Sequence, residues 1–305
     1  MTHEQLMKNL EVPRHPIDVV LDTDTFNETD DQFALSYLLR SSDKLKLKGI
    51  CAAPFHNELS SGPQDGMEKS YQEIFRLLKL AECEELNSVV FRGSPVYLPD
   101  EKTPVCSPAA RFIADLSMHY SPEKPLYIVA IGAITNVASA LLLRPEMAKN
   151  TVIVWLGGHA HHMPRTDEFN MVQDIAAARV VLASGAPVVQ LPCLGVVERF
   201  SASRWEMEHW LKGKNALCDY LLKTFVDAGE SYGAGTAWSR VIWDVTAVGW
   251  LLNDNNRFMG SDIRPVRLPD YNSLYEADRP DLPIRYVYQI YRDNLFDDLF
   301  RKLAR

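Results

Sequence analysis

The chain has 305 residues, of which 47% are hydrophobic and 24% charged, enough for a sizeable core under an ordinary polar surface. The formal charge of −8 argues against a nucleic-acid backbone as partner, and no stretch approaches the 18 or so uninterrupted apolar residues of a membrane span. The five cysteines, Cys51, Cys83, Cys106, Cys193 and Cys218, are odd in number and form no CxxC pair, which excludes a disulfide scaffold and fits a reduced, cytoplasmic protein.

Residues 1–16 read as a polar lead-in ending at Pro16, without the apolar core of a signal sequence. Ile17 to Leu21 is an apolar run of strand length. Behind it come Asp22, Asp24, Glu28, Asp30 and Asp31, and then Phe33, Ala34, Leu35, Leu38 and Leu39 at helical spacing. LKLKGICAAPF (45–55) reads as a second strand, with His56 and Asn57 beyond its end. A helix is expected from about Met67 to Ala81, a short strand and turn in SVVFRGSPVYL, and a helix from Ser107 to Met118. Leu126 to Ile131 is a strand broken by Gly132, and Thr135 or Asn136 opens a helix that stops before Pro145. Residues 151–156 form a third strand of this kind, leaving through Gly157 and Gly158 to the loop HAHHMPRTDEFN and an alanine-rich helix, Asp174 to Ala183. APVVQLPCL is a fourth strand. From Ser201 onward the chain reads as mainly helical and closes on an amphipathic helix, YQIYRDNLFDDLFRKLAR. This alternation predicts an α/β fold, an open and mainly parallel sheet flanked by helices with a Rossmann-like core. No repeat or linker divides it, so residues 1–305 are expected to form one domain.

The chemistry gathers at strand ends. The first strand delivers a run of carboxylates to its C-terminal edge, where open α/β sheets bind ligands. Asp30 and Asp31 have an ordinary explanation as first-turn acids of a helix. Asp22 and Asp24, directly after an apolar strand, do not. No Lys or Arg lies between Ile17 and Gln32 to relieve the repulsion, so a divalent cation is the leading explanation. Oxygen ligands without cysteine favour Ca²⁺ or Mg²⁺ over zinc. The histidines of HAHHM (His159, His161 and His162) lack an HExxH pattern and read as loop residues, one of them a candidate acid for a leaving group. Trp238 and Tyr232, in YGAGTAWSR, are candidates for a lid, and Arg240 either orients a substrate or pairs with surface acids. GAITN is not a phosphate-binding loop and no GxGxxG follows the first strand, which disfavours a nucleotide cofactor.

DTDTFNETDDQFAL resembles the opening signature of the inosine–uridine-preferring nucleoside hydrolases. VAIGAITNVASAL, the pair WLGG and DEFN, and WDVTAVGWLL resemble later segments of that family in the same order. The resemblance implies the nucleoside hydrolase fold and a Ca²⁺-dependent enzyme of purine salvage that splits ribonucleosides into ribose and free base. By this comparison Asp24 contacts the ion and acts as general base, and Asp31, the backbone carbonyl of Thr135 and Asp244 complete the metal ligands. Asp30, Asn57, Glu168 and Asn170 hold ribose hydroxyls, Asn27 reaches the sugar, and Asp22 shapes the loop. A homodimer or homotetramer is implied as well.

Two departures stand out. Five residues, Thr25 to Thr29, separate Asp24 from Asp30 where the family pattern has three, and Glu28 among them has no assigned role. Trp243 stands where many members place a His before the late Asp; it cannot donate a proton but can stack on a base, which leans the reading towards purines. Two alternatives stand beside it: a hydrolase of another ribosyl N-glycoside, and a non-catalytic ribose or nucleoside binder on the same fold.

Overall fold

The computed structural model describes residues 1–305. Its centre is a strand that is apolar on both sides. In β1 (Ile17–Thr23), Val19 and Leu21 point into one hydrophobic cluster while Val20 points into another. The same alternation runs through β2 (Leu45–Ala52), β4 (Leu126–Ala130) and β5 (Thr151–Leu156): Ile50, Val129 and Val154 face one way, and Cys51, Ile128 and Ile153 the other. A period of two with apolar residues on both phases is what a doubly covered parallel sheet requires. With β3 (Val90–Phe91), β6 (Val188–Leu191), β9 (Met259–Val266) and β10 (Arg279–Ile290), the sheet has eight strands in the order β3-β2-β1-β4-β5-β6-β10-β9. All neighbours are parallel except β9 and β10.

Helices cover both faces. On one lie α2 (Asp30–Leu39), α3 (Pro63–Leu80), α8 (Arg204–Leu211), α9 (Ala216–Gly233), α10 (Val245–Leu251) and α11 (Arg292–Leu303); on the other lie α4 (Pro108–Ser117), α5 (Thr135–Leu143) and α7 (Ile175–Ala183). A short helix, α6 (Phe169–Gln173), precedes α7, and β7 (Ser201–Ser203) pairs antiparallel with β8 (Ser239–Val241). No helix is long and apolar enough to cross a membrane.

From β1 the chain goes out to β2 and β3, then returns to add β4 on the opposite side of β1. That reversal opens a crevice between the loops leaving β1 and β4, the usual ligand position in such sheets. The expected α/β architecture is the one observed.

Several local readings need correction. Residues of the supposed lead-in form a helix, α1 (His3–Asn9), capped by the Thr2 side chain. Strand β1 extends through Thr23, so Asp22 is a strand residue and not a loop residue. Helix α3 begins at Pro63, a turn before Met67. The alanine-rich helix starts at Ile175, with Asp174 as its N-cap and a break from α6. The largest miss is the C-terminal third, where β9 and β10 replace expected helix, and where Tyr288 to Ile290 belong to β10 and not to the closing helix. Pro265 on the edge strand β9, Pro280 and Pro283 in the part of β10 before its pairing with β6 at Arg285, and two register shifts interrupt the alternation there.

Candidate active site

The crevice is built from β1 outward. Asp22 is fully buried; its Oδ1 accepts from Asn136 Nδ2 at 2.8 Å, and its Oδ2 has no partner. Burial pushes this carboxyl up to about 7 against that hydrogen bond. Asn136 also donates to the Ala52 carbonyl at 3.1 Å and accepts from the Ser94 backbone N–H at 2.8 Å, so one amide ties β1, β2 and α5 together across the reversal. Asp22 is thus tied into the crevice floor through one of its two oxygens.

Asp24 is different. It is buried, and neither of its carboxylate oxygens has a hydrogen-bond partner. A Cβ added at Gly132 would lie 2.8 Å from Asp24 Oδ1, so the break after β4 is a glycine because this carboxylate needs the room. Beside it, Asp30 and Asp31 open α2 and Asp244 precedes α10; one oxygen from each falls within 4.8 Å of the others. The Thr23 hydroxyl donates to Asp31. Asp30 and Asp31 are first-turn acids, but at 3% and 1% exposure they are far too buried for an ordinary helix start. Burial raises the pKa of all four carboxyls, Asp31 to about 7; the charge of the neighbouring acids raises Asp24 and Asp244 further, and Asp30 is raised further by Glu28 first and then by Asp31. Bare carboxylates this close cannot all stay ionised without protons or a cation between them. An all-oxygen donor set with unpartnered buried atoms fits a hard divalent ion.

The Thr135 hydroxyl is turned to Asp174 Oδ2 at 2.7 Å, which leaves only its backbone for the cluster. Asn27 lines the crevice. Asn57 stands behind it, with Nδ2 on Asn27 Oδ1 at 2.6 Å and Oδ1 taken by the Leu59 N–H at 2.9 Å. Asn57 is therefore a clamp on Asn27, while neighbouring His56 is exposed. Glu168 caps α6, accepting from the backbone of Asn170 at 2.9 Å, Gly158 at 2.9 Å and Met171 at 3.0 Å; Gly158 makes this possible at φ +76°. Burial raises the Glu168 pKa, and the three N–H groups oppose it. Both N–H bonds of the Asn170 amide are spent, on the carbonyls of Ile131 and Leu156 at 3.1 Å each. What Asn170 can offer a ligand is its oxygen, which accepts a hydroxyl.

Asn27, Asp30, Asp31, Glu168, Asn170, Trp243 and Asp244 line a cavity of about 290 Å³ that Glu28 and Phe169 also reach, whereas Asp24, Thr135 and Asn57 stand behind its wall. A larger cavity of about 790 Å³ lies at the opposite ends of β1 and β4, among Arg14, Lys46 and Tyr127, and holds none of the clustered carboxylates. Sequence reasoning missed Cys193 and Leu194, which reach the smaller cavity from the loop after β6, since nothing in their pattern marks them. HAHHM carries three histidines that no local feature distinguishes. The structure separates them: His159 lines the cavity with Nδ1 accepting from the Leu194 N–H at 3.3 Å, whereas His161 is packed between Tyr275 and Tyr286. They form no metal cluster. Glu28 pairs with Arg240 at 2.8 Å.

The family model described as inosine-uridine preferring nucleoside hydrolase matches residues 19–274. A non-specific ribonucleoside hydrolase, RihC, of Salmonella newport is 38% identical over 96 residues, which is 30% of this chain. The match spans 31% of the length of that curated relative. A purine-preferring ribonucleoside hydrolase from Gardnerella vaginalis has the same fold, at a TM-score of 0.75 and 19% identity over 94% of this chain and 98% of that one. A plant nucleoside hydrolase superposes at a TM-score of 0.74, with 17% identity over 95% of this chain and 99% of that one. By sequence, by fold and by the order of its acidic motifs, the chain belongs to the inosine-uridine preferring nucleoside hydrolase family.

Proposed function

We propose that the protein is a Ca²⁺-dependent N-ribohydrolase that uses water to release the free base from a ribonucleoside, with purines favoured. The observation that carries this reading is the buried group Asp24, Asp30, Asp31 and Asp244 beside a cavity that also offers Trp243 and the Asn170 oxygen. Asp24, Asp31 and Asp244 would hold the ion with the Thr135 carbonyl; the approach of Asp30, Asp31 and Asp244 to within 4.8 Å of one another supports this reading. When bound, the ion would lower the pKa of a water molecule and position it.

The remaining steps belong to the chain. Asp24, with both oxygens unpartnered, takes the proton from the attacking water. Asp30, Asn27, Asn170 and Glu168 accept from ribose hydroxyls, and Asn57 holds Asn27 in place. Cleavage of the N-glycosidic bond develops positive charge on the sugar, as in glycoside hydrolysis, and the surrounding carboxylates favour that charge. Trp243 gives the base a stacking face. Neutral His159, whose Nδ1 already accepts, carries its hydrogen on Nε2 and can donate within the cavity.

The test is direct. Chelator-treated protein is supplied with Ca²⁺ and a panel of inosine, guanosine, adenosine and uridine, and free base and reducing sugar are measured. Turnover that needs the added ion and falls about 10³-fold in Asp24→Asn is the expected result. Release from none of the four, with or without Ca²⁺, would overturn the proposal.

A further inference from the structure

Glu28 sits in the stretch between Asp24 and Asp30 that is longer than the family pattern, and it lines the same cavity as Asp30 and Trp243. Its Oε2 accepts from Arg240 Nη2 at 2.8 Å. Arg240 is held in turn. Its Nη1 reaches the Ala228 carbonyl at 3.5 Å, its guanidinium lies 5.3 Å from the centre of the Tyr232 ring, and its side chain is 15% exposed against 43% for Glu28. It stands on β8, which is paired to β7 and reaches Trp243 two residues later. The ion pair therefore holds the Glu28 carboxylate at the wall of the cavity that Trp243 and Asp30 also line. Glu28 Oε1 has no partner within the protein.

A carboxylate only accepts hydrogen bonds, so a ligand group meeting Oε1 must donate one. In the proposed site the other acids take the ion and the sugar hydroxyls, and Trp243 takes the face of the base. The group left for Glu28 is an N–H on the edge of that base. We propose that Glu28, positioned by Arg240, is a specificity-determining residue that accepts a hydrogen bond from an edge N–H of a purine, so that this protein selects amino- and oxopurine ribonucleosides over purines without such a donor. The inference rests on the ribonucleoside reading above. It gives the longer loop a function that a staple between the loop and β8 would not have.

The experiment compares inosine, guanosine and adenosine with purine riboside, whose six-membered ring carries no N–H. Steady-state kinetics are run on the wild type, Glu28→Ala, Glu28→Gln and Arg240→Gln, each checked for folding by thermal melt. The ratio of kcat/KM for the best of the three nucleosides to that for purine riboside is expected to fall about tenfold in Glu28→Ala. Glu28→Gln, which keeps an acceptor oxygen, recovers part of it, and Arg240→Gln shifts it the same way as Glu28→Ala. A change of less than about threefold in Glu28→Ala overturns the proposal, because loss of a staple weakens every nucleoside alike. If Glu28→Ala does not fold, Arg240→Gln, which is expected to shift the ratio the same way, decides with the same threshold. Should the wild type turn over no nucleoside, the activity proposal fails by itself, and the same ratio is read from dissociation constants by calorimetry. Binding of none of them overturns both.

Discussion

His159 and His161 are two residues apart and meet opposite surroundings. His159 faces the cavity, while His161 is wedged between two tyrosines with its Nε2 3.3 Å from Gln190 Oε1. Burial, helped by the Arg267 charge, lowers the His161 pKa from 6.5 to about 4. The unfolded chain therefore binds this proton first as pH falls, so stability is lost between about pH 6.5 and 4 and levels off below. Urea titrations across that window should show the wild type losing about 2–3 kcal/mol more than His161→Gln; parallel curves would refute it. Nothing in HAHHM separates the two rings, since tyrosines more than a hundred residues away decide which one is buried. The carboxylates are the reverse case. Asp24, Asp30, Asp31 and Asp244 carry recognisable local patterns, and the structure brings all four to one place. Asn57 and Thr135 were only partly legible: their positions were clear, but what occupies their side chains depends on Asn27 and Asp174.

At the scale of elements, the crevice depends on how β1, β2 and α5 are joined. Asn136 makes that joint with bonds to Asp22, Ala52 and Ser94, all within the interior. Asn136→Ala would leave the Ser94 N–H and both Asp22 oxygens without partners, at a cost of about 3 kcal/mol. The urea midpoint should drop accordingly, and a loss under about 1 kcal/mol would mean that water or a rearranged loop replaces the amide. Strands with two apolar phases, such as β5, were legible to the residue because both faces are buried. Strands β9 and β10 were not, because one is an edge strand and their prolines and bulges break the period. Their assignment comes from pairing: Arg285 and Tyr286 beside Val189 and Gln190 of β6.

For the whole molecule, the clustered carboxylates are a folding liability that a cation relieves. Ca²⁺ at about a hundred times its dissociation constant should stabilise the chain by about 2.7 kcal/mol and raise Tm by roughly 4–8 °C. Asp244→Asn should abolish that rise and also lift the Tm of the metal-free protein, because a like charge has been removed. A rise that survives in the variant would place the ion elsewhere. The same melts bear on organisation: with β10 hydrogen-bonded to β6 and α11 packed on α2, we propose that residues 1–305 unfold in one transition. By itself, the sequence determined the parallel α/β class, the strand ends that carry acids and the family resemblance, because apolar periodicity and short motifs are local signals. Only the tertiary structure decided which acids share a cluster, which histidine faces the cavity, and that Glu28 meets Arg240 across 212 positions of chain. Those outcomes depend on the distances that the reversal between β1 and β4 and the packing of α10 set between remote segments, and no local pattern encodes them.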